Sequence, residues 1–253
     1  MIGIRSATVD VNRQRGPRGN GHHYYAVAWV AAAIVVIAGF APTYFLRLFL
    51  PARPLTLLVH LHGALMTAWF VLFAIQIRLV AGQRVEWHRL LGTAGAGVAA
   101  AIVLVAVTTA IEAQRLGHRP PGASVAASLY AGVVPLIVFG GLVGTAVMLR
   151  RHRGAHPRLM LLATLSLVQA AAGRLPLDRW SLPPVLRDGG PFGLLSIDLL
   201  LIYACLAWDA WRNRRPHPAF GFGLIILLGV ENLLVEPLAG SAAWQELARR
   251  LVP

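Results

Sequence analysis

The chain has no lysine and a single cysteine, and only 13% of its 253 residues are charged. A soluble domain of this length carries about twice that charged fraction. That scarcity argues against a secreted globular enzyme, a disordered chain and a DNA-binding domain. The lone Cys205 excludes an intramolecular disulfide. Acidic residues are scarcest, 10 against 23 arginines, for a formal charge of +13. In a soluble protein that surplus would suggest a nucleic-acid partner. Here the arginines fall mainly between apolar runs, where such charges set membrane orientation, so no polyanion is needed and none is expected. What the chain does have is apolar: 57% hydrophobic residues, with a mean hydropathy of +0.64.

About 20 apolar residues cross the hydrocarbon core as a helix. Seven stretches approach that length, near Tyr24–Leu46, Thr56–Val80, Leu90–Ala113, Val125–Leu149, Leu159–Gly173, Gly193–Trp211 and Ala219–Val235, the fifth being short. The expected fold is therefore all-α, a polytopic transmembrane helix bundle of about seven spans. Residues 1–23 read as a polar, Arg-rich cytoplasmic tail rather than a signal peptide, 24–237 as the bundle and 238–253 as a periplasmic interfacial tail. Arginines total 14 in the N-terminal tail and alternate connections against 9 in the others. The positive-inside rule then places the N-terminus in the cytoplasm and the C-terminus in the periplasm of a bacterial inner membrane.

Packing signals are local. Gly140 and Gly144 form a small-xxx-small pair that serves internal packing or a dimer, and Gly92, Gly95 and Gly97 thin the start of the third span. Pro135 removes a backbone hydrogen bond and predicts a kink in the fourth span. Trp244, Leu247 and Leu251 recur at helical spacing and predict an interfacial anchor helix. The Pro-rich connection from Arg174 to Pro191, with Trp180, reads as a rigid loop or lid.

Ionisable groups at membrane depth are site candidates by default. His60 and His62 open the second span, Gln169 and Arg174 close the fifth, Asp198 opens the sixth, and Glu231 and Asn232 approach the end of the seventh. On a rise of about 1.5 Å per residue these form one periplasmic-side layer. The layer reads either as a site for a small ligand or proton, or as a structural network in which Arg174 pairs with Asp198 or Glu231. His62, Trp69 and Gln76 recur every seven residues and point into the bundle, whereas His60 lies on another face. On the opposite side, His88-Arg89 and His156-Pro157-Arg158 open two spans, where backbone N–H groups suit a lipid, phosphate or quinone headgroup. His152 and His156 have a metal-ligand spacing, but the surrounding arginines oppose a cation. No catalytic or metal residue is assigned: Ser166 and Ser196 have no identifiable base.

His60-Leu61-His62-Gly63-Ala64-Leu65-Met66, with Trp69, Gln76, His88-Arg89-Leu90-Leu91-Gly92, Arg158-Leu159-Met160-Leu161-Leu162-Ala163-Thr164 and Gly173-Arg174-Leu175-Pro176, resembles an uncharacterised family of multi-pass bacterial membrane proteins. That resemblance implies no activity. His62-Gly63-Ala64-Leu65-Met66 and His88-Arg89-Leu90-Leu91-Gly92 also resemble elements of transmembrane di-haem b-type cytochromes. This second resemblance implies haem b held by His62, His88 or His156, although the family pattern needs four axial histidines. Seven-helix zinc hydrolases carry a His pair in the last span, which this chain lacks. The expected function is a non-enzymatic accessory or transport protein; the alternative is a b-type haem redox protein. Lipid is the expected partner, with a homo-oligomer or a redox or transport partner left open.

Overall fold

A computed structural model describes residues 21–49, 54–120, 122–179, 182–187 and 194–253. Among these the chain is helical, with no strand. α1 (Gly21–Phe40) runs on through a π-turn, Ala41–Phe45. α2 (Leu57–Ala81), α3 (Val85–Arg115) and α4 (Val125–Met148) follow as long antiparallel helices. α5 (Ala155–Ser166) and the single turn α6 (Gln169–Ala172) lead to the short α7 (Pro184–Arg187). α8 (Ile197–Asn213) returns across the bundle. α9 (Pro218–Leu228) passes through a second π-turn, Gly229–Leu233, into α10 (Val235–Ala239), and α11 (Ala242–Leu251) ends the chain.

Among the described residues four helices are long and apolar enough to cross a membrane: His23–Phe45, α2, α3 and α4. The sequence predicts about seven spans, and the difference lies in the second half of the chain. The fifth run breaks after 12 residues. There the Ser166 hydroxyl donates to the Ala163 carbonyl, and Val168 N–H bonds Leu165, three residues back; such back-bonding competes with the α-helical ladder. α8 has 17 residues and contains Asp198, Asp209 and Arg212, which lower its hydropathy. α9 has 11 residues before its π-turn.

Helix starts follow capping chemistry. Thr56 accepts the Val59 N–H, Ser124 that of Ala127, and Ser241 that of Trp244, each hydroxyl satisfying an N–H that the helix cannot. α4 continues as one helix through Pro135. Together α4 and α5 form the centre: Phe139, Leu161, Leu162, Ala163 and Leu165 are fully enclosed. Trp69 of α2 meets Phe139 edge-on at 5.1 Å and donates to Thr164 Oγ1 at 3.3 Å. A Cβ on Gly140 would sit 3.1 Å from Val103 of α3, whereas Gly144 and Gly97 face open space. Only the first member of the Gly140/Gly144 pair therefore serves internal packing. The outer faces are apolar instead, as in the exposed Val27, Val30, Ile34 and Ile37 of α1, the surface a bilayer would cover.

α11 departs from a simple anchor. Trp244 donates to the Ala126 carbonyl at 2.8 Å and stacks edge-on with Tyr130, while Ala248 packs with Leu129 and Val133 of α4. Arg115 at the end of α3 donates to the Leu251 carbonyl at 2.9 Å. Of the predicted apolar face, Leu247 remains exposed.

Candidate polar sites at the two ends of the bundle

Antiparallel connectivity sorts the polar residues onto two ends. One end carries the α2–α3, α4–α5 and α8–α9 turns; the other carries the α1–α2, α3–α4 and α10–α11 turns.

The predicted layer belongs to the second end and is only partly assembled. His62 is half-buried, its Nδ1 is enclosed without a hydrogen-bond partner, and the Arg174 charge acts on it. Arg174 sits at the exposed rim, 4.9 Å over the Phe40 ring, and donates to the Ala170 carbonyl. His60 lies outside this pair, exposed, with its ring 6.0 Å from that of Tyr44. Tyr44 in turn fills the space left by the missing Cβ of Gly63. Asp198 is buried at 5% exposure, but its carboxylate is offset locally by the Ser196 hydroxyl and by the first backbone N–H groups of α8, a favourable place for a negative charge. Among the described residues no ion pair joins Arg174 to Asp198. Gln169 is half-buried in α6. The side chains of Glu231 and Asn232, also predicted for this layer, lie outside the described residues, as does Trp180 of the predicted lid.

The first end holds a tighter network that the sequence reading does not anticipate. Arg158 of α5 reaches Asp209 of α8 through Nη2 at 2.6 Å and Nε at 2.9 Å, both to Oδ1, and donates Nη1 to the Gly154 carbonyl at 2.8 Å. Asn213 adds a bond to the same Oδ1 at 3.0 Å. Asp209 is buried, and its Oδ2 has no hydrogen-bond partner. Arg158 is therefore committed to Asp209, which removes it from the predicted anion site at the α5 N-terminus. His217 caps α9 by accepting the Ala219 N–H on Nδ1, and its ring packs over Gly154 where a side chain would intrude. Burial, and then the neighbouring Arg158 cation, hold His217 below the usual imidazole range, against a smaller opposite pull from Asp209. The sequence marks Asp209 only by composition, as one of two acids, with Glu86, in the described helix ends and turns of an otherwise arginine-lined end, and does not mark Arg158 as its partner.

The same end brings His88 and His156 together, with ring centres 6.3 Å apart and planes at 81°. His156 Nδ1 bonds the Ala146 carbonyl at 2.8 Å, and Gln76 donates to the His88 carbonyl at 3.3 Å. Both His88 Nδ1 and Gln76 Oε1 are enclosed without partners. The inward stripe predicted for α2 is thus present: His62, Trp69 and Gln76 all turn polar atoms into the bundle. His62 stands 14 residues before Gln76, about 21 Å along the helix, so His62 cannot share a site with His88 and His156. No cluster of three or more metal-binding side chains occurs among the described residues.

The chain matches no protein-family model, no curated protein and no solved structure.

Proposed function

We propose that the chain is a non-enzymatic, transport-related or accessory protein of a bacterial cytoplasmic membrane, in which α5–α6, α8 and α9–α10 complete a bundle of about seven spans around the four long helices. The N-terminus lies on the cytoplasmic side. His62 and Arg174 form its polar site, which takes a proton or a small ligand. One observation carries the reading: His62 presents an enclosed, unpartnered ring nitrogen within the field of a guanidinium that no described carboxylate neutralises. A buried polar atom without a partner costs about 1–3 kcal/mol, a cost that a bound group or proton would offset. The test uses vesicles loaded with a pH-sensitive dye. The full chain should relax an imposed proton gradient faster than protein-free vesicles, and His62→Leu should return the rate to that background while helix content stays unchanged. Equal rates for wild type and empty vesicles, or for wild type and His62→Leu, would overturn the proton reading.

A second reading rests on the other end. The His88 and His156 rings stand 6.3 Å apart, and His88 Nδ1 is enclosed without a partner. His156 already orients its Nδ1 toward a carbonyl, the arrangement that fixes a metal-ligating tautomer. These two residues, without His62, would hold a haem b and so supply one-electron chemistry. Purified protein expressed with adequate haem should then show a Soret band that His156→Ala removes; a colourless preparation would dismiss the reading.

A further inference from the structure

A groove of about 340 Å³ opens between the start of α1 and the end of α8, lined by His23, Tyr24, Val27, Trp208 and Arg212. Its two walls are graded in the same sense. α1 enters the bundle at this end, and α8 leaves it here. Moving inward, α1 presents His23, then Tyr24, then Val27, while α8 presents Arg212 and then Trp208. Each wall thus passes from a polar N–H donor, the His23 imidazole on α1 and the Arg212 guanidinium on α8, to an aromatic, and α1 on to aliphatic, within about one helical turn. The aromatic tier is held in place: Tyr24 donates to the Cys205 carbonyl of α8 at 3.0 Å, Tyr25 packs edge-on against Tyr24 at 4.9 Å, and Trp211 packs on Trp208 at 5.3 Å.

We infer that this groove binds one anionic phospholipid, with the headgroup phosphate at Arg212 and His23, the interfacial region at Tyr24 and Trp208, and the start of an acyl chain along Val27. Aromatic residues at headgroup depth and arginines beyond them are how protein surfaces match that lipid profile. Charge supports an anion. Arg212 pairs with no carboxylate among the described residues, because Asp209, the acid one turn before it, is taken by Arg158. Other occupants fit less well. Residues 1–20 carry four arginines and one aspartate, so that segment would bring like charge to the rim, and a second copy would do the same with its own arginines.

The full-length protein in detergent, given dioleoylphosphatidylglycerol or dioleoylphosphatidylcholine in equal amount, tests this by native mass spectrometry of retained lipid. Wild type should retain the anionic lipid about fivefold better, the contribution expected of one arginine at an anionic surface, and the preference should shrink as salt rises. Arg212→Gln should abolish the preference and Arg212→Lys should keep part of it. Arg153→Gln, an exposed arginine of the α4–α5 turn outside the groove, should leave it intact. Val27→Trp, which fills the groove from an exposed position, should lower retention of both lipids. Equal retention by wild type, an unchanged preference in Arg212→Gln, or an Arg153→Gln effect as large as that of Arg212→Gln would overturn the proposal. So would a dimer that Val27→Trp dissociates, since the groove would then be a contact between copies.

Discussion

Among the described residues the two ends of the bundle carry similar numbers of arginines, ten and eight, in their turns and helix ends, yet two acids stand among the first set and six among the second. The net charges are +8 and +2. The acid-poor end nevertheless contains the largely buried ion pair Arg158–Asp209, whereas at the acid-rich end Asp198 and Arg174 are each met by their own neighbourhood. Asp198 is met by Ser196 and the α8 N-terminus, and Arg174 by Phe40 and Ala170. Abundance of opposite charge thus does not decide where a buried pair forms. Geometry does: α5 and α8 pack so that one guanidinium reaches one carboxylate, and the remaining arginines of that end stay at the surface. The second end is joined by close backbone approach instead, for a Cβ on Gly39 of α1 would overlap the Ala171 carbonyl of α6.

The largest predicted effect breaks the charge side of this comparison. Asp209→Ala leaves the largely buried Arg158 without its partner, and should cost up to about 3–5 kcal/mol of stability, read as a lowered unfolding midpoint in detergent. Replacing both, Arg158→Met with Asp209→Leu, should recover most of that loss. If the single variant is as stable as wild type, the pair does not join α5 to α8. Next in size, Gly39→Ala should cost about 1–3 kcal/mol through overpacking against backbone that has little room to move. Gly97→Ala, facing open space on α3, should instead stabilise by up to about 1 kcal/mol through helix propensity. Equal effects at the two glycines would remove the contrast between a close-contact end and an open helix face.

What the sequence made legible, and what it left hidden, follows from the same geometry. Apolar runs mark all the main helices, because hydrophobicity and capping hydroxyls are local properties. The inward stripe of α2 was readable from its seven-residue spacing for the same reason. The polar layer was not, since counting residues from a helix end estimates depth along the axis but not the direction around it. His62 turns its Nδ1 into the bundle while His60, two residues away, is exposed, and Asp198 is buried but met by its own helix start. The Arg158–Asp209 pair joins residues 51 apart in sequence, and nothing local to either position announces the other. His88 and His156 are legible in the sequence only as two of three candidate haem ligands beside His62, and it is the fold that brings the starts of α3 and α5 close enough for their rings to stand 6.3 Å apart.

A smaller effect sharpens the second end. The Arg174 guanidinium over Phe40 is an exposed cation–π contact, worth about 0.5–1 kcal/mol. Arg174→Gln should therefore lower stability by no more than that, and Phe40→Leu in the same background should add less than it does alone. A loss near the Asp209→Ala value would mean that Arg174 has a partner of the Asp209 kind, and the two ends would no longer differ.

The smallest effect is a pH dependence confined to the arginine-lined end. His217 Nδ1 accepts the Ala219 N–H, a role open only to the neutral ring, and burial beside Arg158 holds its protonation below the ordinary imidazole range. The unfolded chain therefore takes up this proton before the folded one does. Stability from the cap is fully present above the unfolded value of about 6.5, declines as pH falls below it, and is lost as pH passes through the lower folded value. His217→Asn keeps a side-chain acceptor at the N-cap without an ionisable ring, and should flatten the fall of the unfolding midpoint as pH drops below about 6.5, relative to wild type. The same slope in both proteins would assign the acid sensitivity to another histidine. His62, at the other end, is separable from His217 by repeating the titration in His62→Leu.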